Sequence, residues 1–278
     1  MTRKIAFQGE AGAFSHAAAH AVFPNDEILP CTTFEDTIGA VQNGDADFAV
    51  VPIENSLYGR IADIHHLLPE SGLYIVGEHY QPIRMHLLGV PGATLDDIKS
   101  VQSLSVALGQ CRKFISKHKF KTINAVDTAG SAHEIAEKGD KSVGAIASKL
   151  AGDIYGLDVV AENIEDAAHN TTRFLVMSRQ KDEAAAGNGP VKTTFVFRVR
   201  NVPAALYKAM GGFATNGVNM TKLESYMVDG SFTATQFYAD IEGHPDDRLV
   251  RLALEELGFF TDMFKVLGVY PAARVQGA

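Results

Sequence analysis

His169-Asn170-Thr171-Thr172-Arg173 runs without a break into the apolar Phe174-Leu175-Val176-Met177. The second half has the length and composition of a buried strand bounded by polar residues. The first half places amide, hydroxyl and guanidinium groups at the mouth of that strand. A planar guanidinium binds a carboxylate through paired hydrogen bonds, and a threonine hydroxyl beside it donates to a neighbouring oxygen. No carboxylate stands two residues to either side of Arg173 to neutralise it. Together these residues suit the holding of an organic acid and action on an adjacent oxygen atom.

Two other segments supply groups of the same kind. The strand-like KIAFQ is followed by GEAGAFS, in which Gly9 and Gly12 permit a tight turn and Ser15 stands near a helix start. Free N–H groups at a helix N-terminus suit a carboxylate. The glycine spacing is not GxGxxG, so nothing points to a dinucleotide. After the apolar FAVV comes PIENSLYGR, with Glu54, Asn55 and Ser56 in succession. Asn55 or Ser56 reads as the N-cap of a helix through IADIHHLL, a place compatible with ligand contact, and Arg60 reads as a surface charge. His16 and His20 have a spacing that metals use, but HAAAH lacks the interposed glutamate of a zinc-protease helix and no third ligand is evident. Neither a metal nor a cofactor is expected.

These groups need elements to position them. TTFEDTIGAVQNGDADFAVVP from Thr32 and DTAGSAHEIAEKGDKSVGAIA from Asp127 form a faint repeat, with Thr33 falling on Thr128 and Gly44 on Gly139. Each copy reads as a helix, a Gly-Asp turn and a buried strand, and a strand–helix pair stands upstream of each. The pattern β-α-β-α-β is that of a small parallel sheet covered by helices. Two such lobes joined through residues 73–90 predict a hinge and a cleft, with lobe two, about 81–159, inserted between the parts of lobe one, about 1–80 and 160–180. Ligands of open α/β sheets sit at the carboxyl ends of the strands, where the polar segments above fall.

RQKDEAAAGNGP at 179–190 has no periodic apolar face and reads as a linker, with 181–191 taken as its extent. The residues beyond, 192–278, read as β-α-β-β-α-β, the ferredoxin-like order: Pro203 opens a helix, Asp229-Gly230 signals a hairpin, and Gly258 closes a second helix. No catalytic grouping stands out there, so binding or assembly is expected.

Composition narrows the classes. The chain has 278 residues, 46% of them hydrophobic, and a net charge of −8, which argues against nucleic acid or an anionic membrane as partner. MTRKIAFQGE leads straight into a strand, and export is not expected. Cys31 and Cys111 lie in different segments and fit reduced thiols in the cytoplasm.

The successive motifs GEAGAFS, VPIENS, DTAGSA, GAIAS and NTTRFLV resemble those of prephenate dehydratases, and NVPAALYKAM and TKLESYMVDG resemble the two effector-binding motifs of an ACT regulatory domain. The resemblance covers essentially the whole chain and implies a two-lobed catalytic domain like type II periplasmic binding proteins, plus a ferredoxin-like ACT domain. It implies Thr172, Arg173 and Phe174 as the catalytic signature, and Gly12, Ser15, Glu54, Asn55, Ser56, Thr128 and Asn170 as substrate-binding positions. It implies L-phenylalanine as allosteric effector at Asn201, Val202, Pro203, Ala204, Ala205, Leu206, Leu223, Glu224 and Ser225, and a homodimer or homotetramer through the ACT domains. Three places depart from the pattern: Ser103-Leu104-Ser105-Val106 replaces Ser-His-Pro-Gln, Ala204 replaces a glycine, and Tyr226-Met227 replaces Arg-Pro. Arogenate dehydratase, whose substrate carries an amino group in place of the keto group, and a non-catalytic amino-acid-binding protein are the alternative readings.

Overall fold

Apolar runs of five to nine residues bounded by Gly, Asp and Pro alternate with amphipathic stretches along the chain. Such a pattern folds as strands alternating with helices. The computed structural model describes residues 2–187, 189–227 and 234–274. Its elements are β1 (Lys4–Gln8), α1 (Phe14–Val22), β2 (Glu27–Cys31), α2 (Phe34–Asn43), β3 (Phe48–Asn55), β4 (Gly59–Arg60), α3 (Ala62–Leu67), β5 (Tyr74–Pro82), β6 (His86–Gly89), β7 (Ser100–Leu104), α4 (Ser105–Gln110) and α5 (Arg112–His118). They continue through β8 (Lys121–Ala125), α6 (Thr128–Lys138), β9 (Val143–Ala147), α7 (Lys149–Tyr155), β10 (Asp158–Ala161), β11 (Thr171–Ser178), β12 (Val191–Val199), α8 (Ala205–Thr215), β13 (Met220–Met227), β14 (Ala234–Glu242), α9 (Arg248–Phe260) and β15 (Thr261–Pro271).

The chain divides into two compact units, residues 1–61 with 79–174, and residues 62–78 with 175–278. In the first unit, β1 pairs in parallel with β2 and β3, and β11 lies beyond β3 in the order β11-β3-β1-β2. A second sheet of five strands runs β10-β6-β9-β7-β8, with β7 parallel to both β8 and β9 and with β6 antiparallel to β9 and β10. The unit is therefore two α/β lobes, the second built from residues between β5 and β11. Ile5, Phe7, Val50 and Ile53 fill the first lobe's core, and Leu87, Val101 and Ile146 that of the second.

Local chemistry explains the helix ends. The Thr33 hydroxyl accepts from the Asp36 N–H while the Asp36 carboxylate accepts from the Thr33 N–H, a capping box. Gly44 and Gly139 close α2 and α6 in the left-handed conformation, at φ of 88° and 65°. In the second copy the cap is Asp127, one residue before the threonine that aligns with Thr33.

The second unit has the strand order β13-β14-β12-β15, with α8 and α9 packed on one face through Phe213, Ala209, Val250 and Leu257. This is the ferredoxin-like βαββαβ arrangement. Beyond β15 the unit adds β5, paired in parallel through Ile75 and Gly268. A Cβ on Gly268 would lie 2.1 Å from the Ile75 carbonyl oxygen, so only glycine lets the strands meet there. The buried Lys192 ammonium contacts both Glu78 carboxylate oxygens, at 2.9 and 2.8 Å.

Several local expectations change. Asn55 and Ser56 cap no helix, because the chain first turns back into β4, which pairs with β3, and α3 starts only at Ala62. The helix expected upstream of the second copy is two, α4 and α5, which meet at Cys111. α9 runs past Gly258 to Phe260. The hairpin at Asp229-Gly230 lies outside the described residues.

Candidate active site

Side chains of a strand alternate between its faces. In β11 this pleat sends Thr172 and Phe174 towards a cleft of about 260 Å³ and Arg173 away from it. The cleft lies within the first unit. Lobe one contributes Ser15, Asn55, Thr172 and Phe174, and lobe two contributes Val106, Gln110 and Thr128. Pro52, Ile61, Ile83 and Met85 make much of the remaining wall apolar. A larger cavity of about 600 Å³ shares Gln8, Gly9 and Asp127 with it and adds Glu10, Cys31, His133 and Tyr155.

The hairpin after β3 is fastened to the entry of β11. Ser56 N–H donates to the Thr171 carbonyl at 2.9 Å, its hydroxyl donates to the His169 carbonyl at 3.1 Å, and the Thr171 N–H donates to that hydroxyl at 3.0 Å. Asn55 Nδ2 donates to Asn170 Oδ1 at 2.8 Å and to Thr172 Oγ1 at 2.9 Å. Asn170 is buried, and among the described residues its Nδ2 meets no partner. Thus Ser56 and Asn170 serve as fasteners beside the cleft and do not line it.

Arg173 is buried on the other face of the strand, with its guanidinium 2.9 Å from the Glu54 carboxylate. Neither side chain lines the cleft. The structure therefore brings together five of the ten sequence-derived site residues on the cleft wall: Ser15, Asn55, Thr128, Thr172 and Phe174.

Positive potential comes from helix ends. α1 points its first turn, through Ala13, Phe14 and Ser15, at the cleft. Unlike α2, α6 and α7, it has no side-chain cap, its N-cap being Ala13. Its first N–H groups are thus free to meet a carboxylate. Gly12, at φ +91°, makes the turn that aims them, and a Cβ there would sit 2.7 Å from Ala151 Cα in α7. The Ser148 hydroxyl donates to the Gly12 carbonyl at 2.5 Å and the Tyr155 hydroxyl to the Ala11 carbonyl at 2.9 Å, so lobe two holds this turn from behind. The Gly12 N–H donates to His16 Nδ1 at 3.0 Å, and burial together with His20 holds the His16 imidazole below its ordinary pKa. His16 therefore does structural work and His20 lies exposed near the end of α1; among the described residues no cluster of three potential metal ligands occurs.

Gln110 escaped the sequence reading. It ends α4, is buried, and lines the cleft, and among the described residues its Oε1 has no hydrogen-bond partner. Nothing in SVALGQC distinguishes it from a helix-surface glutamine.

An uncapped helix end and a threonine hydroxyl on the wall of one apolar cleft, in a two-lobed α/β frame, are of the kind that suits an enzyme of small organic anions. More particularly, the chain belongs to the prephenate dehydratase family, whose model, described as prephenate dehydratase, matches residues 5–182. It is 49% identical, over 98% of this chain and 96% of the relative, to a bifunctional N-acyl-homoserine lactone acylase/prephenate dehydratase of Komagataeibacter europaeus. It is 40% identical, over 98% of this chain and 73% of the relative, to the chloroplastic arogenate dehydratase/prephenate dehydratase 1 of Arabidopsis thaliana. Among solved structures, the prephenate dehydratase of Arthrobacter aurescens in complex with L-Phe superposes with a TM-score of 0.88 at 32% identity, over 97% of this chain and 90% of that one.

Proposed function

We propose that the chain converts prephenate to phenylpyruvate, in the biosynthesis of phenylalanine. The observation that carries this reading is the Thr172 hydroxyl on the wall of an apolar cleft that also receives the uncapped end of α1. The ring carboxylate of the substrate leaves as carbon dioxide, its bonding electrons complete the aromatic ring, and the hydroxyl on the opposite ring carbon departs, taking up one proton to become water. Aromatisation drives the step, so the protein's part is to orient a dianion and stabilise the departing oxygen. The first turn of α1 holds a carboxylate, Phe174 packs against the ring, and Thr172 donates a hydrogen bond to the leaving oxygen. A threonine hydroxyl is too weak an acid to give up its proton near neutral pH, so we assign it hydrogen bonding and not proton transfer. Arg173 supports the site from behind the strand through Glu54.

Asp127, which also borders the cleft, favours a second reading, in which its carboxylate receives the ammonium of arogenate. The decisive experiment measures turnover of prephenate and arogenate by the purified protein and by Thr172→Ala. The acyl-homoserine lactone class named for the Komagataeibacter relative is run as a third substrate. Fast prephenate turnover, lost in the variant, supports the proposal, and folded protein inert towards prephenate overturns it.

We assign regulation to the ferredoxin-like unit, with the catalytic domain at 1–180 and an ACT domain at 192–278. The ligand named for the Arthrobacter protein supports L-phenylalanine as the effector, and we assign residues 201–206 and 223–225 as its site. Tyr207 and Phe259, 82% and 77% exposed, offer apolar surface for the pairing of two such units in a homodimer or homotetramer. A cytoplasmic location fits the two free cysteines. No helix of the described residues is long and apolar enough to cross a membrane.

A further inference from the structure

The orientation of an asparagine amide is ordinarily chosen by fit, but at Asn55 it is forced. Its Oδ1 accepts the backbone N–H groups of Leu57 at 2.9 Å and Tyr58 at 3.1 Å. A backbone N–H only donates, so the oxygen must face the turn and the NH₂ must face β11. That NH₂ uses its two hydrogens on Asn170 Oδ1 and Thr172 Oγ1. An amide nitrogen cannot accept, so Thr172 is the acceptor in the bond between them. The hydroxyl proton of Thr172 must then lie in another direction, and among the described residues no acceptor takes it. The open side of Thr172 is the cleft.

We infer that Asn55 is a positioning residue that commits Thr172 to act as a hydrogen-bond donor into the cleft. The inference rests on the dehydratase reading above. A threonine hydroxyl left to itself rotates and offers either a proton or a lone pair. In a site that must receive a departing hydroxide, a lone pair turned towards that oxygen would repel it. Asn55 occupies the lone pair and leaves the proton aimed at the substrate; accepting one bond also polarises the O–H that donates the next. The same amide holds the tip of the hairpin through Leu57 and Tyr58, so the turn geometry, through one planar group, sets the proton's direction. No proton is transferred between Asn55 and Thr172 at any stage.

Asn55→Asp tests this. The carboxylate keeps the size of the side chain and both bonds to the turn, but replaces a donor by an acceptor. Thr172 then donates to the carboxylate, away from the cleft. We expect kcat to fall about 10²–10³-fold, the loss typical of one missing preorganised donor. The fall should exceed that in Asn55→Ala, where the hydroxyl is only freed to rotate. A residue that merely capped the turn would show the reverse order, since alanine loses both turn bonds. Repulsion of the dianion by the added charge registers in KM, and misdirection of the proton in kcat. On acidification towards a carboxyl's ordinary pKa, about 4, the carboxyl regains a proton to donate, so kcat of Asn55→Asp should climb relative to wild type.

In a Thr172→Ala background, Asn55→Asp should lower kcat no further, because residues acting through one group are not additive. Additive losses with an active wild type overturn the role of Asn55 alone. A wild type without prephenate turnover overturns the dehydratase reading and this inference with it. If circular dichroism shows that Asn55→Asp does not fold, the cycle with Asn55→Ala decides the same question by the same criterion.

Discussion

The Arg173 guanidinium lies 2.9 Å from the Glu54 carboxylate, on the opposite face of β11 from the Thr172 hydroxyl one residue away. The only charged side chain in the signature is thus neutralised within the fold, and it does not line the cleft. Glu54→Gln should lower stability by an amount between the ~1 kcal/mol of an exposed pair and the ~3–5 kcal/mol of a fully buried one, since Glu54 is partly exposed. Thermal unfolding gives the value. In the variant that folds, KM for prephenate should change little, because neither residue lines the cleft.

Thr172→Val preserves the shape of the side chain and deletes the hydroxyl. With roughly 3–4 kcal/mol of transition-state stabilisation at stake, kcat should drop by two to three orders of magnitude with little change in KM. Thr172→Ser should retain a substantial part of the rate. Steady-state assays of phenylpyruvate formation separate the two parameters.

Gly12→Ala should damage both stability and turnover. The residue is at φ +91°, and the new methyl would meet Ala151 Cα at 2.7 Å, so the turn must shift away from α7 and carry the first N–H groups of α1 with it. Left-handed backbone alone costs an alanine about 1–2 kcal/mol. The melting temperature should fall, and KM should rise more than for Thr172→Val.

His16 accepts from the Gly12 N–H, which only a neutral ring nitrogen can do, and its folded-state pKa is lowered by burial and by His20. The unfolded state, titrating near 6.5, binds the proton first. Its contribution to stability is therefore complete above about pH 6.5 and is lost as the pH falls below that value towards the lower folded pKa. His86, also held low by burial, adds a second step of the same sign. Melting temperature measured from pH 7.5 to 5 should decline, and His16→Asn, which accepts without titrating, should flatten part of that slope.

Ala204 stands at φ +61° immediately before α8, where the family pattern has a glycine. Ala204→Gly should raise the melting temperature, by an amount corresponding to about 1 kcal/mol of relieved strain. Isothermal titration with L-phenylalanine on both forms measures whether the methyl also weakens effector binding.

What the sequence showed depends on how far apart the interacting residues lie. Helix ends governed by neighbours were legible where a glycine marked them: Gly44 and Gly139 close α2 and α6 as the Gly-Asp turns predict, while the capping of α2 by Thr33 and Asp36 was not read. The polar residues at strand ends were legible because open α/β sheets expose those ends. The partner of Arg173 was not, since Glu54 lies 119 residues away and no local pattern joins them. Asn55 was expected to cap a helix because a polar residue before an apolar run usually does; Gly59, at φ +77°, instead turns the chain back into β4. Gln110 was invisible because an amide at the end of α4 looks, in the sequence, like any helix-surface glutamine, and the Gly109 beside it lies within that helix. The grouping of residues 62–78 with the C-terminal unit depends on distant partners such as Gly268 for Ile75 and Lys192 for Glu78, which no local pattern announces.

The bond between Asn55 and Thr172 joins residues 117 positions apart. Closing a loop of that size costs an unstructured chain about 4 kcal/mol in entropy. Lobe two lies wholly inside the loop and its strands pair only with one another, so it can order first and shorten the distance left to close. Refolding should therefore proceed outwards from the insert, with the Thr172 hydroxyl reaching the Asn55 amide in the last step. On the ribosome, the same order means that no fragment ending before β11 can hold the site, however well its helices have formed.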